Sequence, residues 1–129
     1  MFMFDVETLG VESTSVILSI AYIPFSFDEK PNYNDLMGRA RFYKLNVEEQ
    51  VKEYKRTIDK GTIDWWDKQC DLVKEQSYIR KPTDMKCKKA FDAMRVDFDI
   101  KPNLFDNKDI VIWARGSLDQ VVLDSLHKQ

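Results

Sequence analysis

Two strand-forming runs stand at the front of the chain, FMFDV at residues 2–6 and SVILSIAYIP at residues 15–24, joined through the turn-like LGVESTS. Aromatic and β-branched residues suit a pleated, half-buried surface. Pro24 closes the second run, because proline cannot donate to a ladder. So short a polar link makes the two runs a hairpin. A chain that begins this way commits itself to a sheet, and its later segments must cover that sheet. The 129 residues suffice for one domain with one core, taken as residues 1–129.

Residues 25–36 are polar, with Pro31, Asn32 and Asn34, and read as a loop. GRARFYKL at 38–45 alternates basic and apolar residues and predicts a third strand, at an edge. The period then changes. Asn46 and Glu49 form a capping pair, and Val47, Val51, Tyr54 and Ile58 share one helical face. Thr62 is expected to cap a short helix carrying IDWWDKQ. Pro82–Thr83 should start another, with Cys87, Ala90, Phe91, Met94 and Phe98 on its inner face. DIVIWA at 109–114 is apolar throughout its middle, as a strand covered on both faces should be. After the Arg115–Gly116 turn, Ser117 with Gln120 three residues on predicts a last helix. The order β-β-β-α-α-α-β-α implies a mixed α/β sheet, three strands antiparallel and a fourth reached by a helical crossover.

The hairpin's first strand carries two acids in FDVETLG. Residues i and i+2 of a strand face the same way, roughly 6–7 Å apart, so Asp5 and Glu7 point to one side and Phe4 and Val6 to the other. At an effective dielectric near 20, two such charges repel by about 3 kcal/mol before screening. A divalent cation between them reverses the sign, and oxygen ligands suit Mg²⁺ or Mn²⁺. The competing reading is a solvated strand end. Asp119 lies in the first turn of the last helix. If DIVIWA runs parallel beside the first strand, Asp119 reaches the same strand end, where open α/β sheets place their sites. Its local alternative is a favourable place in the helix dipole. Asp124 lies about 140° further round the helix, so the two cannot face one ion.

Three segments together resemble a known family. FDVETLG is similar to the Asp-x-Glu-Thr motif of the DEDD (DnaQ-like) 3′→5′ exonucleases, and IVIWARGSLDQVVLDSL to their second motif. GTIDWWDKQ resembles the Thr-Ile-x-Trp-Trp segment of the phage exonuclease A-like branch. The resemblance implies an RNase H-like fold and a two-metal site for Mg²⁺ or Mn²⁺. In it Asp5 would bridge the ions, Glu7 would hold the ion of the attacking water, and Asp119 would support the second. It also implies contacts of Thr8 and Leu9 with the terminal nucleotide of a single-stranded DNA or RNA 3′ end. The family's third motif, a His or Tyr shortly before a fourth Asp, has no counterpart after Asp119. The only histidine, His127, is followed by no Asp. The expectation is therefore a C-terminally truncated domain with an incomplete metal site. Its alternative is an inactive chain that binds metal, a nucleic acid end or a protein partner. A homodimer in which a second chain supplies the missing groups is a third.

Trp65 and Trp66 differ by 100° on a helix and cannot share a face. Ile63, Trp66 and Cys70 lie on one stripe, so Trp66 is assigned to the core and Trp65 to a base-stacking role. Arg115 is the first choice for a phosphate contact, ahead of Arg39, Arg41 and Lys44. The lysines at 52–60 and 86–89 read as solvated faces. A net charge of −2 excludes wrapping of a long duplex. Cys70 and Cys87, without a paired-cysteine spacing, imply buried thiols, no zinc, and a reducing, cytoplasmic setting (the host cytoplasm for a phage-encoded chain). No apolar run approaches the ~20 residues of a membrane helix, and nothing at the N-terminus reads as a secretory leader.

Overall fold

The hairpin forms as its alternation requires. A computed structural model describes residues 2–25, 28, 30–97 and 111–129. Strand β1, Phe2–Thr8, pairs antiparallel with β2, Ile17–Pro24, in a register that sets Asp5 opposite Ala21 and Glu7 opposite Ser19. The register slips between Glu7 and Thr8, where β1 ends. Strand β3, Arg41–Lys44, lies outside β2, and β4, Ile112–Ala114, runs parallel to β1 on its other side. The sheet order is β3-β2-β1-β4. This is the mixed sheet inferred from the sequence, three strands antiparallel and one parallel.

One sheet face supplies the main core. Phe4, Val6, Ile20 and Tyr22 pack against Cys87, Ala90, Phe91 and Met94 of one helix and Val122, Leu123 and Leu126 of another. These helices are Cys87–Asp97 (α5) and Ser117–His127 (α6). Their inward residues recur every three or four positions, as a helix buried on one side requires. A smaller cluster joins Leu9, Val16, Leu18, Val47 and Trp66. Val47 belongs to α2, Val47–Lys52, and Trp66 to α3, Lys60–Asp67.

Several local expectations fail for identifiable reasons. The loop assigned to 25–36 contains the start of a helix, α1 (Tyr33–Arg39). Asn32 accepts from the Asp35 amide and Asp35 accepts from the Asn32 amide, a reciprocal capping box read instead as turn composition. The third strand is shortened accordingly to Arg41–Lys44. Helix α2 stops at Lys52, because Lys55 takes a positive φ of 54° and Arg56 turns inward. Asp59, not Thr62, caps α3, through its carboxylate and the Thr62 amide. Because α3 ends at Asp67, Cys70 leaves the Trp66 stripe and is exposed. Asp71–Val73 (α4) then runs into a π-helical turn, Lys74–Tyr78. Pro82–Thr83 start no helix; α5 begins at Cys87, whose amide donates to Glu49 Oε2. Phe98, Asp109 and Ile110 lie outside the described residues. Strand β4 is not covered on both faces. It pairs with β1 alone among the described strands, and Val111 and Trp113 are exposed. At the start of α6, Gly116 with φ 91° occupies the cap position and Ser117 makes no capping bond.

Candidate active site

The acids owe their meeting to two registers. On β1, Phe4 and Val6 are buried, and Asp5 and Glu7 fall on the opposite face. Beside it, β4 ends at Ala114, which pairs with Phe4. The chain then needs a sharp reversal into α6, and Gly116 supplies it from the left-handed region that side chains disfavour. Asp119 thus falls in the first turn of α6, alongside the end of β1. The Val6 N–H lies near enough to its carboxylate to favour the charged form.

The electrostatics record the crowding. Burial first, then the charge of Asp5, then that of Asp119, push the Glu7 carboxyl above its ordinary range. Burial and Asp5 raise Asp119, against the opposing pull of the Val6 amide. Oδ2 of Asp119 is a buried oxygen without a hydrogen-bond partner, and no other side-chain polar atom among the described residues shares that condition. Such an orphan costs about 1–3 kcal/mol. Three carboxylates that repel one another, one with a bare buried oxygen, are a donor set suited to a hard divalent cation. Among the described residues no three His, Cys, Asp or Glu groups stand close enough to enclose an ion as they are. Asp5 is near enough to raise the proton affinity of both Glu7 and Asp119.

A groove of about 450 Å³ opens directly beside Glu7. Thr8, Gly10, Val11, Thr62 and Trp65 line it, with Leu118 of α6 at its border. Trp65 is 53% exposed and Trp66 only 2%, the division expected from their 100° separation. Trp66 stacks on Tyr78 and donates from its indole N–H to the Thr8 carbonyl at 3.0 Å, so a core ring holds the end of the acid-bearing strand. A Cβ on Gly10 would run into the Ser15 hydroxyl, which explains glycine at this bend.

The other residues singled out in the sequence take up varied positions. Thr8 lines the groove, with its hydroxyl donated to the Gly10 carbonyl at 2.6 Å. Leu9 is 1% exposed, its amide bonded to Val16 and its carbonyl to Asp59, so its side chain belongs to the smaller core and not to the groove. Arg115 is exposed in the bend between β4 and α6. Arg41 pairs with Asp97 and Lys44 with Asp84, so both are engaged elsewhere. Asp124 pairs with Lys128 at 2.8 Å. His127 packs edge-on against Phe91, about 12 Å along the helix from Asp119 at 1.5 Å per residue. The Cys87 thiol is buried and pushed up to about 12.

One buried group escaped sequence reasoning. Arg56 sits among residues read as a solvated face, yet is 4% exposed. It donates to the carbonyls of Ser13, Ser15 and Val122, to Ser125 Oγ and to Gln129 Oε1. No periodicity announces it.

A mixed sheet of this order, with acids at the C-terminal ends of its parallel pair, defines an α/β domain of the RNase H-like exonuclease class. The family model described as the 3′-5′ exoribonuclease Rv2179c-like domain matches residues 1–129, and the chain belongs to that family. Its substrates are accordingly nucleic acids. No curated protein and no solved structure matches the chain significantly. No helix among the described residues is long and apolar enough to cross a membrane.

Proposed function

We propose that the chain is a metal-dependent 3′→5′ exonuclease that removes nucleotides from the 3′ ends of single strands, with Asp5, Glu7 and Asp119 as its metal ligands. The observation that carries this reading is the bare buried Oδ2 of Asp119 beside two carboxylates that repel it. Divalent ions bound there would generate a hydroxide near neutral pH and stabilise the attacking and leaving oxygens of an in-line displacement. Asp5 is the residue whose charge raises both of the others, and so the one best placed to bridge. Glu7 borders the groove and orients its carboxylate toward the terminal nucleotide. Thr8 and the exposed face of Trp65 support that nucleotide, Trp65 by stacking on its base. Arg115, on the bend beside the acids, offers a charge to the adjacent phosphate. The Thr-Ile-Asp-Trp-Trp segment favours kinship with the phage exonuclease A-like branch.

The test is digestion of a 3′-labelled single-stranded oligonucleotide with Mn²⁺, against EDTA and against Asp5→Ala. Release of the labelled mononucleotide that stops in both controls is the expected result. Binding of Mn²⁺ without release would favour the alternative, an inactive chain that holds metal and a nucleic acid end. Release that survives Asp5→Ala would refute the assignment.

A further inference from the structure

We infer that Arg56 is a positioning residue for the acid site, a clamp that fixes the rotation of α6 and thereby the distance of Asp119 from Asp5 and Glu7. This rests on the reading of the three acids as one site. The guanidinium binds two elements at once. Toward the loop after β1 it bonds the carbonyls of Ser13 at 2.9 Å and Ser15 at 2.8 Å. Toward α6 it bonds the Val122 carbonyl at 3.3 Å, Ser125 Oγ at 2.9 Å and Gln129 Oε1 at 3.0 Å. Gln129 closes the arrangement by donating to the Tyr54 carbonyl at 2.9 Å.

The residues next to Arg56 hold the same loop by backbone bonds, Thr57 to Thr14 and Val16, and Asp59 to Leu9. The segment 56–59 is therefore a strap across the end of β1, and Arg56 is its link to α6. At 100° per residue Val122 stands 60° and Ser125 120° round α6 from Asp119, so the clamp grips the flank of the helix next to the Asp119 face. The core side of α6 is Val122, Leu123 and Leu126, whose non-directional apolar burial holds the helix against the sheet. A planar fork with five donors fixes rotation where a stem of methylenes cannot. Side chains reach about 5–6 Å from a helix axis, so a turn of about 10° moves the Asp119 carboxylate by about 1 Å. A misplacement of that size costs a reaction about 100-fold.

The clamp is tested by removing its far end only. The double variant Ser125→Ala, Gln129→Ala removes both side-chain acceptors at that end and leaves Arg56 on the carbonyls of Ser13 and Ser15 and the longer bond to Val122, and Arg56→Lys tests whether charge without the fork suffices. Three readouts are taken beside the melting temperature: exchange of the Val6 amide proton without metal, Mn²⁺ affinity by electron paramagnetic resonance, and kcat and KM on a single-stranded oligonucleotide. The double variant is expected to remain folded. Its Val6 amide, which lies beside the Asp119 carboxylate, should exchange at least 10-fold faster while the amides of β2 keep their rates. Mn²⁺ affinity should fall about 10-fold and kcat 10- to 100-fold with KM little changed. Arg56→Lys should show the same losses. A folded double variant with unchanged Val6 exchange would overturn the clamp. A wild-type chain that binds no Mn²⁺ would instead refute the metal-site reading, and Val6 exchange would still decide the clamp.

Discussion

Replacing the two adjacent tryptophans should separate stability from substrate binding. Trp66→Phe keeps an aromatic ring against Tyr78 but removes the indole N–H that the Thr8 carbonyl accepts at 3.0 Å. An unpaired buried carbonyl costs about 1–3 kcal/mol. The smaller ring leaves a void of roughly 40 Å³, which at about 24 cal/mol per Å³ adds about 1 kcal/mol. The expected loss is therefore about 2–4 kcal/mol, a large share of the ~5–15 kcal/mol that holds a domain together. Trp65→Ala removes a ring that is 53% exposed and meets Trp66 edge-on at 5.1 Å. That contact is worth about 1 kcal/mol. The base it would stack on is worth about 1–3 kcal/mol, or roughly 5- to 150-fold in affinity. Urea denaturation reads the first quantity. Fluorescence anisotropy of a labelled single-stranded oligonucleotide, without divalent metal, reads the second. Trp66→Phe should lower the urea midpoint clearly, and Trp65→Ala should weaken oligonucleotide binding while nearly sparing stability. The reasoning is refuted if Trp65→Ala destabilises as much as Trp66→Phe, or if it leaves affinity unchanged.

The acids give the remaining predictions. Asp5→Ala should abolish Mn²⁺ binding and nucleotide release, whereas Asp124→Ala, which loses only its pair with Lys128, should stay within about 0.5 kcal/mol of wild-type stability and keep activity. The Glu7 and Asp119 carboxyls are raised, so the folded metal-free chain binds more protons than the unfolded chain, and these two groups make it less stable as pH rises through their folded values. Glu7→Gln should accordingly melt higher than wild type at neutral pH in EDTA, and the gap should close on acidification below the ordinary carboxylate range. Mn²⁺ should raise the melting temperature of wild type and not that of Glu7→Gln. Gly10→Ala forces a Cβ against Ser15 and should cost about 1–3 kcal/mol, measurable by thermal denaturation and partly recovered by Ser15→Gly.

Period and order are what the sequence made legible. Alternation in FDVET fixed the face of Asp5 and Glu7. The apolar IVIWA after a helical crossover implied a parallel neighbour, and the turn after it delivered Asp119 to the same strand end. The 100° step between Trp65 and Trp66 separated core from groove. Illegible features depend on partners distant in the chain. Arg56 takes its acceptors from Ser13, Ser15 and α6, and nothing near residue 56 forecasts them. Gln50, which holds both the amide and the carbonyl of Ile17, is buried for the same kind of reason. Leu9 comes directly after the acid motif, yet the register slip after Glu7 turns it inward. Helix α1 was hidden because Asn and Asp serve turns and caps alike. The resemblance to the DEDD exonucleases supplied the roles of the acids, and the family match supports the 3′→5′ exonuclease reading at the level of the whole domain.

The central question for this site is whether Asp5, Glu7 and Asp119 act on one ion. The direct measurement is a Mn²⁺ titration by electron paramagnetic resonance of the wild type beside Asp5→Ala, Glu7→Gln and Asp119→Asn, each verified as folded. Saturable binding that every one of the three substitutions weakens, Asp5→Ala most of all, is the predicted result. A wild type that leaves Mn²⁺ free in solution, or binding that Asp119→Asn does not touch, would contradict it.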